Sequence, residues 1–245
     1  MTQPLRIGDR LDRPEAKRAL NERLFTTIAR EYRWMTGVLS FGRDAAWKRR
    51  LVTVLPDVPQ PTCVDIACGT GDLTRLLAQR YPGGSVLGLD LTEAMLVQAE
   101  RLTSNVGVTY RHADMMSTGL PDSSVDIVTG GYALRNAPDL DATIAEMARI
   151  LRVDGCAGFL DFTMPVGRTR RCMQLSLLRA WGGLWGLALH ANWAVYGYIA
   201  ESLRRYPTPR QLNRRFAAHG LRVMRTCRCF VGVTSIVIVR RHPLP

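Results

Sequence analysis

Cys63-Val64-Asp65-Ile66-Ala67-Cys68-Gly69-Thr70-Gly71-Asp72-Leu73 is the stretch whose reading decides the fold. Val64 to Ala67 has the profile of a short buried strand, and Asp72 to Ala78 that of a helix opening. Between them Gly69 and Gly71 remove side chains where a ligand would approach the backbone. Roughly 20 residues on, Ser85-Val86-Leu87-Gly88-Leu89-Asp90 reads as a second strand ending in an acid, placed to accept both hydroxyls of a ribose. The third glycine of a dinucleotide fingerprint is missing, because Asp72, Leu73 and Thr74 follow Gly71. A pyrophosphate would want that glycine and would be repelled by Asp72. S-adenosylmethionine (SAM) carries no phosphate, and its cationic end suits nearby carboxylates. The expected ligand is therefore SAM, held by Asp65, Gly69, Thr70, Gly71, Asp90 and Leu91.

At 245 residues the chain is long enough for one large domain or one domain with an elaborated cap. Its net charge of +12, from 33 Lys and Arg against 21 Asp and Glu, favours anionic partners. Nucleic acid and an acidic membrane surface both qualify, and a merely solvated basic surface stays open beside them. The six cysteines form no C-x-x-C pair and find no histidines at zinc-finger spacing, which points to reduced thiols in the cytoplasm. The N-terminus is polar and lacks the apolar run of a signal peptide.

Residues 1–20 are rich in arginine and lysine and read as a flexible basic arm. From 21 to 55 the pattern is helical, with two helices expected around the Ser40-Phe41-Gly42 break, capping the cofactor turn. Trp34 and Met35 in this cap are candidate substrate contacts. After Pro56, Pro59 and Pro61, strands and helices alternate: strand 63–67, helix 72–80, strand 85–90, helix 93–103, strand 108–111, strand 125–130, helix 140–151 and strand 157–162. Helix 209–218 and two β-rich runs, 221–228 and 230–239, complete the chain as an antiparallel hairpin. The expected fold is α/β: a Rossmann-like, seven-stranded, mostly parallel sheet of class I methyltransferase type with a C-terminal antiparallel hairpin. Residues 21–245 then form a single domain.

The segment 165–206 breaks the alternation and reads as an inserted helical lid. Arginines flank an uncharged run from Ala180 to Ala200, whose glycines and polar residues make it a poor membrane span. Trp181, Trp185, Trp193 and Tyr198 suit either an interfacial helix or a pocket for a long apolar molecule. A lid lying on an anionic membrane is the preferred expectation, placing the protein peripherally on the cytoplasmic face of the membrane.

Two further constellations carry chemistry. Asp114, after the third strand, is placed to accept the adenine amine while Met115 offers its backbone N–H to the ring. Gly130-Gly131-Tyr132-Ala133-Leu134-Arg135-Asn136 ends the fourth strand, with Gly131 against the cofactor and Tyr132 walling the site. Arg135 is the only cation expected at that mouth and is suited to orient a substrate oxygen.

Together these stretches resemble the ubiquinone/menaquinone C-methyltransferase family. Matching features are Asp65 to Thr74, Tyr132-Ala133-Leu134-Arg135-Asn136, Tyr32-x-x-Met35 with Leu39-Ser40-Phe41-Gly42 and Trp47-Lys48, and Tyr196-Gly197-Tyr198-Ile199-Ala200-Glu201-Ser202. The resemblance implies a prenylated quinone substrate, and Arg135, Tyr132, Tyr32 and Tyr196 are the candidate catalytic residues. It also carries cofactor contacts over to Thr70, Asp90, Asp114 and Met115. The chain departs from the family at Arg33 and Thr36, and at Asn192-Trp193-Ala194-Val195, where family acids are missing. Those departures look like the rhodoquinone biosynthesis branch, which would make SAM an amino donor that replaces a methoxy group of ubiquinone. That branch implies manganese; the sequence offers no ligand cluster, only Asp161, His190 and Glu201 as weak candidates. Ordinary quinone C-methylation is the alternative. An RNA methyltransferase is remote, since no RNA-binding module is visible and no nucleic-acid partner is expected.

Overall fold

The computed structural model describes residues 13–104, 107–190 and 194–242. The nucleotide core follows the expected alternation. Strands β1 (Thr62–Ile66), β2 (Ser85–Asp90), β3 (Val108–His112), β4 (Val125–Gly131) and β5 (Leu151–Phe162) are all parallel. Strand β7 (Thr234–Arg241) runs antiparallel between β5 and β6 (Leu221–Cys229), giving the order β3-β2-β1-β4-β5-β7-β6. Order reverses between β1 and β4, so the carboxyl ends of β1, β2 and β4 open onto one crevice, the usual ligand position in such sheets. Helices α4 (Asp72–Arg80), α5 (Glu93–Arg101), α7 (Leu140–Ile150) and α10 (Pro209–Ala218) cover the sheet.

Three features differ from the sequence expectation. Strand β5 begins directly at Leu151, not at 157, although Asp154-Gly155 has the composition of a turn. The ladder to β4 jumps from the pair Val125–Leu151 to Ile127–Cys156, so the turn survives as a bulge, with Asp154 at φ 65°. The cap has three helices, not two: α1 (Pro14–Ile28), α2 (Tyr32–Leu39) and α3 (Asp44–Thr53). And residues 14–20, read as part of a loose arm, are the first turns of α1. Pro14 opens that helix with its φ already set, and Glu15 follows in the first turn.

What holds α1 down lies far away in sequence. Leu20, Leu24 and Ile28 share one small core with Met35, Met95 of α5 and Tyr198 of the lid. The Lys17 ammonium donates to the carbonyls of Arg135 (3.1 Å) and Ala137 (2.6 Å), and the Asn21 amide to that of Asn136 (2.7 Å). These acceptors lie at the end of a one-turn helix after β4, α6 (Ala133–Asn136), with Ala137 as its cap, and the carbonyl end of a helix attracts cations. Burial first, then the Arg135 charge, lowers the Lys17 pKa to about 8. A lowered folded-state value means the unfolded chain binds more protons between about pH 8 and 10.5, so this contribution grows as pH rises through that window. Relative to Lys17→Met, the wild-type melting temperature should therefore climb from pH 8 to 10; parallel curves would show that Lys17 is not buried in this way.

The lid is a helical hairpin of α8 (Arg168–His190) and α9 (Ala194–Arg205). No described helix is long and apolar enough to cross a membrane. Trp193 lies outside the described residues.

Candidate active site

The turn after β1 is built from left-handed backbone: Ala67 has φ 48°, Gly69 54° and Gly71 75°. Gly69 faces open space, and a side chain there would meet only Tyr32, at 3.7 Å. Gly71 has a different reason to be glycine, because a Cβ would collide with the Tyr110 hydroxyl and not with a ligand. The Asp90 carboxylate accepts from the backbone N–H of Gly69 (2.8 Å) and of Thr92 (2.8 Å), which clamps the loop to the end of β2. Burial pushes the Asp90 pKa up against those bonds.

Asp65 is also buried, but each of its oxygens accepts a threonine hydroxyl: Thr74 at 2.7 Å and Thr129 at 2.9 Å. Burial, outweighing those bonds, raises its pKa to about 6. It braces β1, α4 and β4 beneath the loop. Thr70 Oγ1, in contrast, is buried with no partner, which is what a side chain awaiting a ligand looks like.

One crevice gathers Gly69, Asp90, Leu91, Asp114, Met115 and Gly131. Asp114 accepts from the Met116 N–H (2.9 Å) and faces Arg18 of α1 at 3.1 Å. Asn21, Glu22 and Phe25 of α1 line the same crevice, so α1, whose first turns were read as part of an arm, helps to wall it. An acid for a ribose, an unpaired hydroxyl on Thr70 and open space over Gly69 fit SAM.

Beside this crevice lies a cavity of about 1200 Å³, lined by Met35, Leu39, Trp181, Leu178, Tyr198 and Arg135 among others. Tyr132 and Tyr32 line both spaces and so form their common wall. Tyr132 is held at φ 59°, a strained conformation for a bulky residue that turns its ring into this wall. Burial holds the Tyr32 phenol up at about 12 and also pushes the Tyr132 phenol well above its ordinary value.

Several expected contacts fall elsewhere. Trp34 is half exposed and lies edge-on to Trp185, which packs in turn against Trp181; neither Trp34 nor Trp185 lines the cavity. The Tyr196 and His190 side chains are outside what is described. Arg135 is not a free cation at the mouth. It is buried, with its Nε 3.6 Å from Asp161, its Nη1 donating to Ser202, and its guanidinium over the rings of Phe162 and Tyr198. Nor is it alone, since Lys48 is buried next to the cofactor loop, 2.7 Å from Asp44 and 3.0 Å from Asp72.

The weak metal candidates do not assemble. Asp161 is committed to Arg135, and Glu201 is surrounded by Arg179, Arg204 and Arg205 at 3.1–3.5 Å. Among the described residues no group of three or more potential ligands converges.

Asp44 was missed in the sequence. Its Oδ1 accepts from the Tyr132 hydroxyl at 2.8 Å across 88 positions of chain, while Oδ2 pairs with Lys48. The only local signal was an Asp and a Lys four apart on one helix face.

Comparison with known sequences decides the family. Residues 13–240 match the ubiE/COQ5 methyltransferase family. The chain belongs to the ubiE/COQ5 family. Among its relatives are a demethylmenaquinone methyltransferase of Thermus thermophilus, 33% identical over 87% of this chain and 97% of that one. Another is the ubiquinone/menaquinone biosynthesis C-methyltransferase UbiE of Xanthomonas oryzae pv. oryzae, 34% identical over 80% of each chain. In three dimensions the ubiE/COQ5 chain superposes on a SAM-dependent methyltransferase from Mesorhizobium loti with a TM-score of 0.59, at 20% identity over 80% of this chain and 98% of that one. It also superposes on Haemonchus contortus phosphoethanolamine N-methyltransferase 2 bound to SAM, with a TM-score of 0.62, at 14% identity over 81% and 53%. These matches establish the class I SAM-dependent methyltransferase fold; the family match makes the chain a SAM-dependent methyltransferase.

Proposed function

We propose that this ubiE/COQ5 chain methylates a ring carbon of a prenylated quinol, with SAM held by Gly69, Thr70, Asp90, Leu91, Asp114, Met115 and Gly131. The observation that carries the reading is the apolar cavity of about 1200 Å³ sharing the Tyr132 wall with the cofactor crevice. A quinone ring would sit at that wall, with its prenyl chain running between Met35 and Trp181. Its relatives include demethylmenaquinone and ubiquinone/menaquinone methyltransferases, which supports the same substrate class.

One observation favours a second reading, the exchange of a ubiquinone methoxy group for an amine donated by SAM to give rhodoquinone. The family resemblance implies an acid at position 33, where this chain has Arg33, and Arg33 approaches Asp72 at 3.6 Å beside the cofactor loop. That difference places a cation, and not a carboxylate, beside Asp72. Incubation with SAM and either demethylmenaquinol or ubiquinone, with and without manganese, separates the readings by mass spectrometry. C-methylation raises the quinone mass by one methylene. Amine exchange lowers it, and with nitrogen-labelled SAM it carries the label. Neither product would defeat both readings.

The quinone's solubility suggests a membrane docking site, on the cytoplasmic face. Met173, Leu177, Leu184 and Leu187 are exposed along one side of α8, and Arg168 and Arg170 stand near its start. Such a helix suits the surface of an anionic bilayer. The protein should sediment with phosphatidylglycerol vesicles and not with phosphatidylcholine vesicles, and Leu177→Glu with Leu184→Glu should abolish that binding. Retention by the double variant would remove α8 from the contact.

A further inference from the structure

Behind the shared wall between the two cavities lies a buried acid that no assignment above uses. Tyr132 follows β4 in its left-handed conformation, and its hydroxyl points to Asp44 Oδ1 at 2.8 Å. Asp44 is buried on α3, where its backbone N–H donates to Ser40 Oγ (3.0 Å) and its Oδ2 meets Lys48 Nζ at 2.7 Å. Lys48 in turn reaches Asp72 of α4, which Arg75 and Arg33 also approach. Charged or titratable groups therefore face Asp44 from its own helix (Lys48), from the loop after β4 (Tyr132) and from α2 (Tyr32), with Asp72 of α4 behind Lys48. So buried a chain of carboxylate, ammonium and phenol is costly, and a catalytic duty explains its presence better than stability does.

We propose that Asp44 is the proton acceptor for the substrate's ring hydroxyl, reached through Tyr132 as a relay. The inference rests on the quinol methylation reading and names the base that reading requires. As the substrate O–H bond breaks, its proton passes to the Tyr132 oxygen while the phenol's own proton passes to Asp44. Tyr132 ends neutral, as its burial and the adjacent Asp44 charge demand. Bound SAM supplies the methyl group: the ring carbon–methyl bond forms as the sulfur–methyl bond breaks, and that electron pair stays on sulfur. The ring C–H proton then leaves to water while Asp44 returns its proton through Tyr132 to the ring oxygen. One proton is released overall and the pair is reset. Lys48 keeps the carboxylate oriented. Burial alone would lower the Lys48 pKa, but Asp44 and Asp72 together raise it well above its ordinary value, so the ammonium persists. Asp44 touches no substrate in this arrangement; it takes the proton through Tyr132, whose hydroxyl it also orients.

The test compares wild type with Asp44→Asn, Asp44→Glu and Tyr132→Phe, using SAM and a short-chain demethylmenaquinol. Asp44→Asn and Tyr132→Phe should each lose about 10²–10⁴-fold in turnover near pH 7, the usual worth of a positioned base. Their rates should then rise about tenfold per pH unit towards alkaline pH, as the quinol ionises unaided, where the wild-type rate stays flat. Asp44→Glu should recover part of the loss. Calorimetry with S-adenosylhomocysteine should show affinities within a few-fold of wild type, a readout independent of turnover. Should Asp44→Asn fail to fold, Tyr132→Phe keeps both Asp44 and its Lys48 partner and gives the same readout. A wild-type pH profile in Tyr132→Phe, or loss of S-adenosylhomocysteine binding along with rate, overturns the relay while leaving quinol methylation standing. Wild-type enzyme that makes no methylated quinol overturns the reading beneath it, and the relay with it.

Discussion

Asp90→Ala should raise the dissociation constant for SAM and for S-adenosylhomocysteine by about 10²–10³-fold, the worth of two hydrogen bonds to a charged group. The geometry makes this loss larger than that of a simple ribose acceptor. Asp90 also holds the Gly69 N–H at 2.8 Å, so its removal frees the glycine turn that the cofactor lies across. The fold should survive as a cooperative unit, because β2 keeps both neighbours, β1 and β3, and the Thr92 and Gly69 amides can turn to water. Burial raises the Asp90 pKa above its ordinary value, so wild-type affinity should begin to fall on acidification at a higher pH than for an exposed carboxylate. Titration calorimetry between pH 5 and 8 measures both effects. Unchanged affinity in Asp90→Ala would mean that the cofactor does not lie at the end of β2.

Asp90 was legible because everything that defines it is local. A strand, a turn with two glycines, a helix, and an acid at the end of the next strand can be read from about 30 consecutive residues. Parallel order followed from alternation, and the closing hairpin from two β-rich runs in succession with no helix between them. Contacts set by the approach of distant segments could not be read this way. Tyr132 and Asp44 meet because the left-handed turn after β4 aims the ring at α3, and neither residue type announces that partner. Lys17 looked like one more surface charge because its acceptors, the Arg135 and Ala137 carbonyls, exist only once α6 has formed more than 100 residues later. Gly71 was attributed to ligand approach on a sound general rule, but the Tyr110 hydroxyl fills the space that rule left for a ligand. Arg135 was placed correctly at the end of β4 and given the wrong company. Its neighbours Asp161 and Ser202 come from β5 and α9, and only tertiary packing brings them together.

That company changes what Arg135→Ala should do. The backbone N–H of Arg135 donates to Asp161 Oδ2 at 2.8 Å and its Nε lies 3.6 Å from Oδ1, both groups buried, so truncation leaves a carboxylate without its cation. Breaking one side of such a pair costs about 3–5 kcal/mol, although burial already raises the Asp161 pKa and protonation can relieve part of this. A lower melting temperature is therefore expected together with reduced turnover, and a fall in turnover alone would not establish a role towards substrate. Asp161→Asn combined with Arg135→Met separates the two effects, since it removes the buried charges together and restores most of the stability. If Arg135 orients a quinone oxygen from the cavity wall, the double variant should melt close to wild type, bind S-adenosylhomocysteine normally and remain about 10²-fold slow. Recovery of turnover along with stability would make Arg135 a strut between α6, β5 and α9. Lys17 reports on the same change independently. The Arg135 charge lowers its pKa and the Asp161 charge raises it, so Arg135→Met alone should shrink the pH-dependent gain assigned to Lys17 and move it to higher pH, and adding Asp161→Asn should reverse part of that shift.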